Sequence, residues 1–475
     1  MRNYFFLFSF LFLLSYAVFG QDLPLSKIVD DSALRTSVKE TWLLETPGRV
    51  LARPSALHTL PGGGRVQLRA EASKDEFTVI FARELKSSNG NGANMVGSFP
   101  GWAQGSWILI RNRVSGEAAR IRIFLRSDPY TYIEIRPFSH DKCQMDVVLY
   151  NAYIARSITI PVTLERLYTM QLGDVLNLAG SQFPRRYFEP NPDDYRLNRQ
   201  FIAKVREGIR GLEFADDGAI DHNGKYVYIN TGLEQKGQPG LNCSGFAKWL
   251  VDGLLKPITG ARLEIPPLKE PFGNRGSSEN PDVRTLTELW KQRDSFFGLD
   301  WIRNLASTVW SKLLAPSFGS LDQIEVRSDR FSQMILRDPG QNISTLYNYP
   351  GFLEDAGYGV EGLQPLLYML AIDEPGMFYL AAINNERGPI ATEENPRGAP
   401  RMREYYHITA LIPYFSEGGV FHIAVFESAA ENSFIDFRNR FPPSSPRLMN
   451  EEIRLYPNGN YANLVRIPLE PVFEP

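Results

Sequence analysis

The stretch Leu241-Asn242-Cys243-Ser244-Gly245-Phe246-Ala247-Lys248-Trp249-Leu250-Val251 decides how the second half of this chain is read. A polar loop with two glycines, Gln235 to Gly240, leads into it. Beyond Cys243 the apolar residues Phe246, Ala247, Leu250, Val251 and Leu254 share one helical face. Cys243 is therefore expected at a helix N-terminus. Unpaired N–H groups and the positive end of the helix dipole favour a thiolate there. A nucleophilic cysteine needs such a lowered pKa, and the same N–H groups can hold an oxyanion. The pattern also suits an ordinary helix start with a small buried cysteine, so catalysis requires a base from elsewhere.

Five histidines exist: His58, His140, His222, His407 and His422. The last two fall on runs that read as a hairpin, Tyr406 to Phe415 and Val420 to Phe426, joined by the turn Ser416-Glu417-Gly418-Gly419. A histidine on each strand suits a general base and its orienter. Each also suits a half-buried strand histidine with a satisfied hydrogen bond.

These residues resemble the NlpC-type cell-wall cysteine endopeptidases, a compact branch of the papain-like fold. Asn242-Cys243-Ser244-Gly245-Phe246 stands where that family has an Asp-Cys-Ser-Gly-Phe/Leu motif at a helix start. Tyr226-Val227-Tyr228-Ile229-Asn230 matches its tyrosine strand, and Pro375 to Leu380 loosely matches a later Gly-Asp-Leu-type strand. His407-Ile408-Thr409-Ala410-Leu411 and then Phe421-His422 follow in the family's order. The resemblance implies Cys243 as nucleophile, His407 as base and His422 as its orienter. Tyr226 and Ser244 would line the oxyanion and substrate side. An alternative register makes His422 the base with Asp436 as orienter. The chain departs from the family in Asn242, in lacking Gly-Gly after the tyrosine strand, and in the 164 positions from Cys243 to His407.

Working outward, residues 22–62 form an N-terminal segment of mixed character. Residues 63–182 read as short alternating strands, among them Phe77–Ala82, Ser106–Arg111, Ala119–Leu125, Tyr130–Arg136, Asp146–Tyr150 and Ser157–Val162. They suggest a β-sandwich-like domain or a small barrel. His140 and Cys143 offer at most two metal ligands, too few for a site. The Pro-rich connector Phe183 to Pro192 precedes an amphipathic helix over Asn198–Ile209. The papain-like domain is expected over 195–475, with a helical insertion at about 255–365. The fold class expected is thus α+β.

The N-terminus carries Arg2 and then an apolar run from Phe5 to Phe19, ending in Ala17-Val18-Phe19-Gly20-Gln21. That is the form of a secretory signal peptide over 1–20, and the run is shorter than the ~18 residues a membrane span requires. The expectation is an exported protein of the periplasm, cell envelope or exterior, not integral to a membrane once the leader is removed. The 51 basic and 54 acidic residues give a net charge of −3, with no overall pull toward nucleic acid. No metal or nucleotide motif stands out, and no cofactor is expected. Export would normally pair Cys143 with Cys243, but a nucleophile must stay reduced. Asn242-Cys-Ser and Asn342-Ile-Ser are read as chance sequons.

Three functions follow. The leading one is hydrolysis of a peptidoglycan stem peptide, or another envelope peptide or amide, by a Cys–His pair. A catalytically inactive envelope scaffold on the same fold is the second. An acyl or amide transferase using the same pair is the third.

Overall fold

The computed structural model describes residues 22–85, 97–272, 295–337, 344–387, 402–441, 447–449, 452–454 and 459–475. The expected leader, residues 273–294 of the expected helical insertion and Asn342-Ile343 of the second sequon lie outside them. The architecture is α+β, built on two large antiparallel sheets.

The first sheet is a next-neighbour meander of eight strands: β1 (Ala56–Thr59), β2 (Arg65–Ala72), β3 (Glu76–Arg83), β4 (Trp107–Asn112), β5 (Ala118–Phe124), β6 (Tyr132–Pro137), β7 (Cys143–Leu149) and β8 (Ala152–Ile160). Alternation drives it. Val66, Leu68, Phe77, Val79, Phe81, Leu109, Ile121, Ile133, Ile135 and Met145 face one core. The ion pairs Arg122–Glu134 and Arg136–Asp146 tie neighbouring strands together, and Arg120–Glu76 reaches across β4 from β5 to β3.

Three expectations need correction here. The strands form one continuous sheet, not the two of a sandwich, because each pairs with the next along the chain. The segment 22–62 contains α1 (Ser32–Ser37), α2 (Pro47–Leu51) and β1, so the sheet begins before residue 63. The supposed helical insertion carries the hairpin β11 (Gln333–Arg337) and β12 (Ser344–Asn348), which extends this sheet through Met334 opposite Ala152. The chain therefore returns to its N-terminal sheet from deep inside its second half.

Between the sheets run α3 (Leu172–Ala179) and the connector. Then α4 (Arg196–Gly208) buries Phe201, Ile202 and Val205, as its 3.6-residue spacing predicts. The short ribbon β9 (Gly218–Ile220) and β10 (Tyr226–Tyr228) precedes α5 (Cys243–Thr259), which ends at left-handed Gly260. Two helices follow, α6 (Phe297–Leu313) and α7 (Leu321–Ile324).

The second sheet has six strands in the order β13 (Tyr358–Gly359), β20 (Tyr461–Pro468), β14 (Met377–Arg387), β15 (Met402–Phe415), β16 (Phe421–Glu427) and β17 (Ala430–Asn432). A separate hairpin, β18 (Arg447–Met449) and β19 (Glu452–Arg454), intervenes in the chain. Both faces of the six-stranded sheet are covered. Phe378, Leu380, Ala382, Ala410 and Ile412 pack with α4, α5 and α6. Tyr379, Ala381, Ile383, Leu411 and Phe415 turn to the opposite core, shared with α8 (Leu363–Asp373) and the first sheet. Two-sided burial explains why Met377–Ile383 is apolar without alternation. Arg126 fastens the two sheets: it is buried, and donates to Tyr368 Oη and the Gly419 carbonyl at 3.0 Å each. No helix among the described residues is long and apolar enough to cross a membrane.

Candidate active site

Helix α5 begins at Cys243 because Asn242 caps it. Asn242 has extended backbone, and its Oδ1 accepts from the Gly245 N–H at 2.8 Å. Asparagine and aspartate cap equally well, so the departure at 242 keeps the motif's structural role. Gly245 has a separate reason. A Cβ there would sit 2.0 Å from the Gly218 carbonyl oxygen, so β9 crosses the first turn backbone to backbone. The same carbonyl accepts the Asn242 N–H at 3.0 Å. Inside α5, buried Lys248 donates to the Ile220 carbonyl at 2.8 Å and to Asp252 at 2.6 Å. Helix start and ribbon are therefore locked together at several points. The N–H groups of Cys243 and Ser244, first in the helix, can have no intrahelical partner.

Cys243 and Cys143 are both free thiols. Cys143 is buried, and burial pushes its thiol up to about 11. Cys243 behaves oppositely. Burial pushes its thiol up, but a hydrogen bond from His407 and the charge of that ring outweigh it. The Ile408 N–H and the Ser244 hydroxyl add to the effect, and the thiol lies below its ordinary range. Two consecutive residues of β15 thus address the sulfur.

His407 sits at a β-bulge. Ile383 pairs with His407 but Asn384 pairs with Tyr405, which leaves Tyr406 as the extra residue. The ring is held by two contacts. Nε2 meets Glu427 Oε2 at 2.5 Å, and the ring face stacks on Phe441 with centroids 5.5 Å apart. With Nε2 engaged by a carboxylate, Nδ1 is the nitrogen left for Cys243.

Glu427 therefore takes the orienting position that the sequence reading gave to His422. Strand register is the reason. His422 lies opposite Tyr414 and stacks on it with centroids 5.3 Å apart. Tyr414 is seven residues on from His407, about 23 Å at ~3.3 Å per residue. Asp436, the alternative orienter for His422, sits in the first turn of α9 (Phe434–Arg440), where Ser433 Oγ donates to it at 2.6 Å. Tyr226 lies on β10, half-buried against the cluster that includes Cys243. Ser244 is buried, and its carbonyl accepts from Trp301 Nε1 at 2.9 Å. Glu427 was missed because it stands one residue past the apolar run, before a turn, where an acid reads as solvated.

A family model described as a domain of unknown function (DUF8515) matches residues 24–187. That stretch spans β1 to β8 and α3 and leaves Cys243, His407 and Glu427 outside it. No curated protein matches the chain, and no solved structure does.

Proposed function

We propose that this chain is an exported cysteine hydrolase that cleaves peptide amides of the cell wall, with an NlpC-type papain-like C-terminal half. One observation carries the reading: a thiol at a helix N-terminus is held below its ordinary pKa by an imidazole whose far nitrogen binds a buried carboxylate. The order of parts also supports it, because the capped Cys-Ser-Gly helix precedes a sheet whose central strand supplies the histidine.

The chemistry follows from these positions. The Cys243 thiolate attacks the scissile carbonyl carbon, and the carbonyl electron pair moves to oxygen. The N–H groups of Cys243 and Ser244 face the forming oxyanion. Protonated His407 gives its proton to the leaving amine as the carbon–nitrogen bond breaks, leaving a thioester on Cys243. Neutral His407 then takes a proton from water, whose oxygen attacks the thioester and releases the acid. Glu427 keeps the ring in one orientation and stabilises its charged form.

The test is incubation of the full chain and its Cys243→Ala variant with purified peptidoglycan, followed by mass spectrometry of released fragments. New amine and carboxyl ends produced by the native chain alone support hydrolysis. Fragments joined to an added amine would show transfer instead. No change in either sample would overturn both.

A further inference from the structure

Glu427 has more partners than orienting one imidazole requires. Its carboxylate is 3% exposed. Oε2 binds His407 Nε2, while Oε1 accepts from Asn432 Nδ2 at 2.8 Å and meets the Arg440 guanidinium. Arg440 is the last residue of α9, and Phe441, next in the chain, stacks on His407. Buried Phe437 anchors the same helix in the core. One helix end thus delivers both the aromatic face that holds the imidazole and a cation on its counter-charge.

A carboxylate beside an imidazolium stabilises the protonated ring, and a cation on that carboxylate takes part of the stabilisation back. We propose that Arg440 is a positioning residue that acts on the Cys243–His407 pair by sharing the Glu427 carboxylate. This rests on the reading of Cys243 and His407 as the reacting pair.

Other nearby charges are committed elsewhere. On α9, Arg438 donates to Gln364 and Asp436 bonds Ser433. On β17, Glu431 pairs with Arg206. On β15, Arg403 donates to Asn384. On α5, Lys248 pairs with Asp252. Arg440 itself is 46% exposed, so its hold on Glu427 is open to solvent and partial.

The experiment measures the rate of Cys243 alkylation by iodoacetamide across pH in the full chain, with buried Cys143 as the unreactive internal control. The variants are Arg440→Gln, Arg440→Met, Arg440→Lys and Glu427→Gln, each checked for folding by circular dichroism. Loss of the cation should move the alkaline limb of the profile upward by about half a pH unit. Lysine should restore it. Glu427→Gln should move it downward. An unmoved limb in both uncharged Arg440 variants, or a uniform fall in rate, overturns the proposal and leaves Arg440 a packing residue. If Glu427→Gln also leaves the profile unmoved, the reading of the pair itself fails.

Discussion

Replacing Gly245 with alanine asks whether the reactive end of α5 is placed by backbone contact. The added Cβ would lie 2.0 Å from the Gly218 oxygen and 2.9 Å from the Ala219 Cα. A close carbon–oxygen contact relaxes at about 3.3 Å, so β9 or the helix start must give by roughly 1.3 Å. Neither can rotate away, since both are main chain and the same carbonyl holds the Asn242 N–H. The expected cost is near the upper end of the ~1–3 kcal/mol typical of overpacking. A shift of about 1 Å between sulfur and imidazole is also worth roughly 100-fold in rate. Gly253→Ala supplies the contrast. Its Cβ would meet the Phe473 ring at 2.3 Å, a side-chain contact more than two turns along the helix from Cys243. Urea unfolding should show both variants destabilised, Gly245→Ala more so. Alkylation of Cys243 at neutral pH should slow only in Gly245→Ala. Native alkylation in that variant, or equal slowing in both, would refute the reasoning.

Three other predictions follow from the same contacts. His407→Gln removes the leading influence that opposes burial at Cys243, so the thiol should rise above its ordinary range and the onset of alkylation should move to alkaline pH. At mildly acidic pH the labelling rate should fall at least about tenfold, one decade of thiolate per pKa unit. Asn242→Ala loses the cap and should cost ~1 kcal/mol in urea unfolding, whereas Asn242→Asp should stay within a few tenths of native. Lys248→Met leaves Asp252 buried without its partner, at a cost of ~3–5 kcal/mol. Burial already raises the Asp252 carboxyl pKa against the pull of Lys248. A raised carboxyl pKa means stability present at low pH and lost as pH rises, so urea midpoints should show a larger deficit at neutral than at acid pH.

Much of the site was legible because it depends on local chemistry. Asn242, Cys243 and the apolar face to Leu254 specify a capped helix wherever the rest of the chain lies. The hairpin around Ser416–Gly419 was legible for the same reason, since glycine turns between apolar runs have few alternatives. What stayed hidden is long-range. Nothing in Gln333–Arg337 says that it pairs beside Ala152 rather than within its own half. Strand β20 lies between β13 and β14, yet it comes last in the chain and its Tyr461–Pro468 run carries no mark of that place. Glu427 became readable only once the register of β15 and β16 was known, because the distance along a strand, not the order in sequence, rules out His422.

The bulge at Tyr406 links fold to chemistry. Beyond it, Ile408, Ala410 and Ile412 face the helices; before it, Tyr405 does. The extra residue therefore switches which parity of β15 points at α5. His407 stands at the switch, where a regular strand would commit it wholly to one face. From there its ring reaches Glu427 and Phe441 on the core side while acting on Cys243 on the helix side. A residue on a regular strand could orient against one neighbour or the other, but a base must touch both its orienter and its nucleophile. The irregularity also explains why the run Tyr405-Tyr406-His407-Ile408 shows no clean alternation: its side chains serve two cores within four residues.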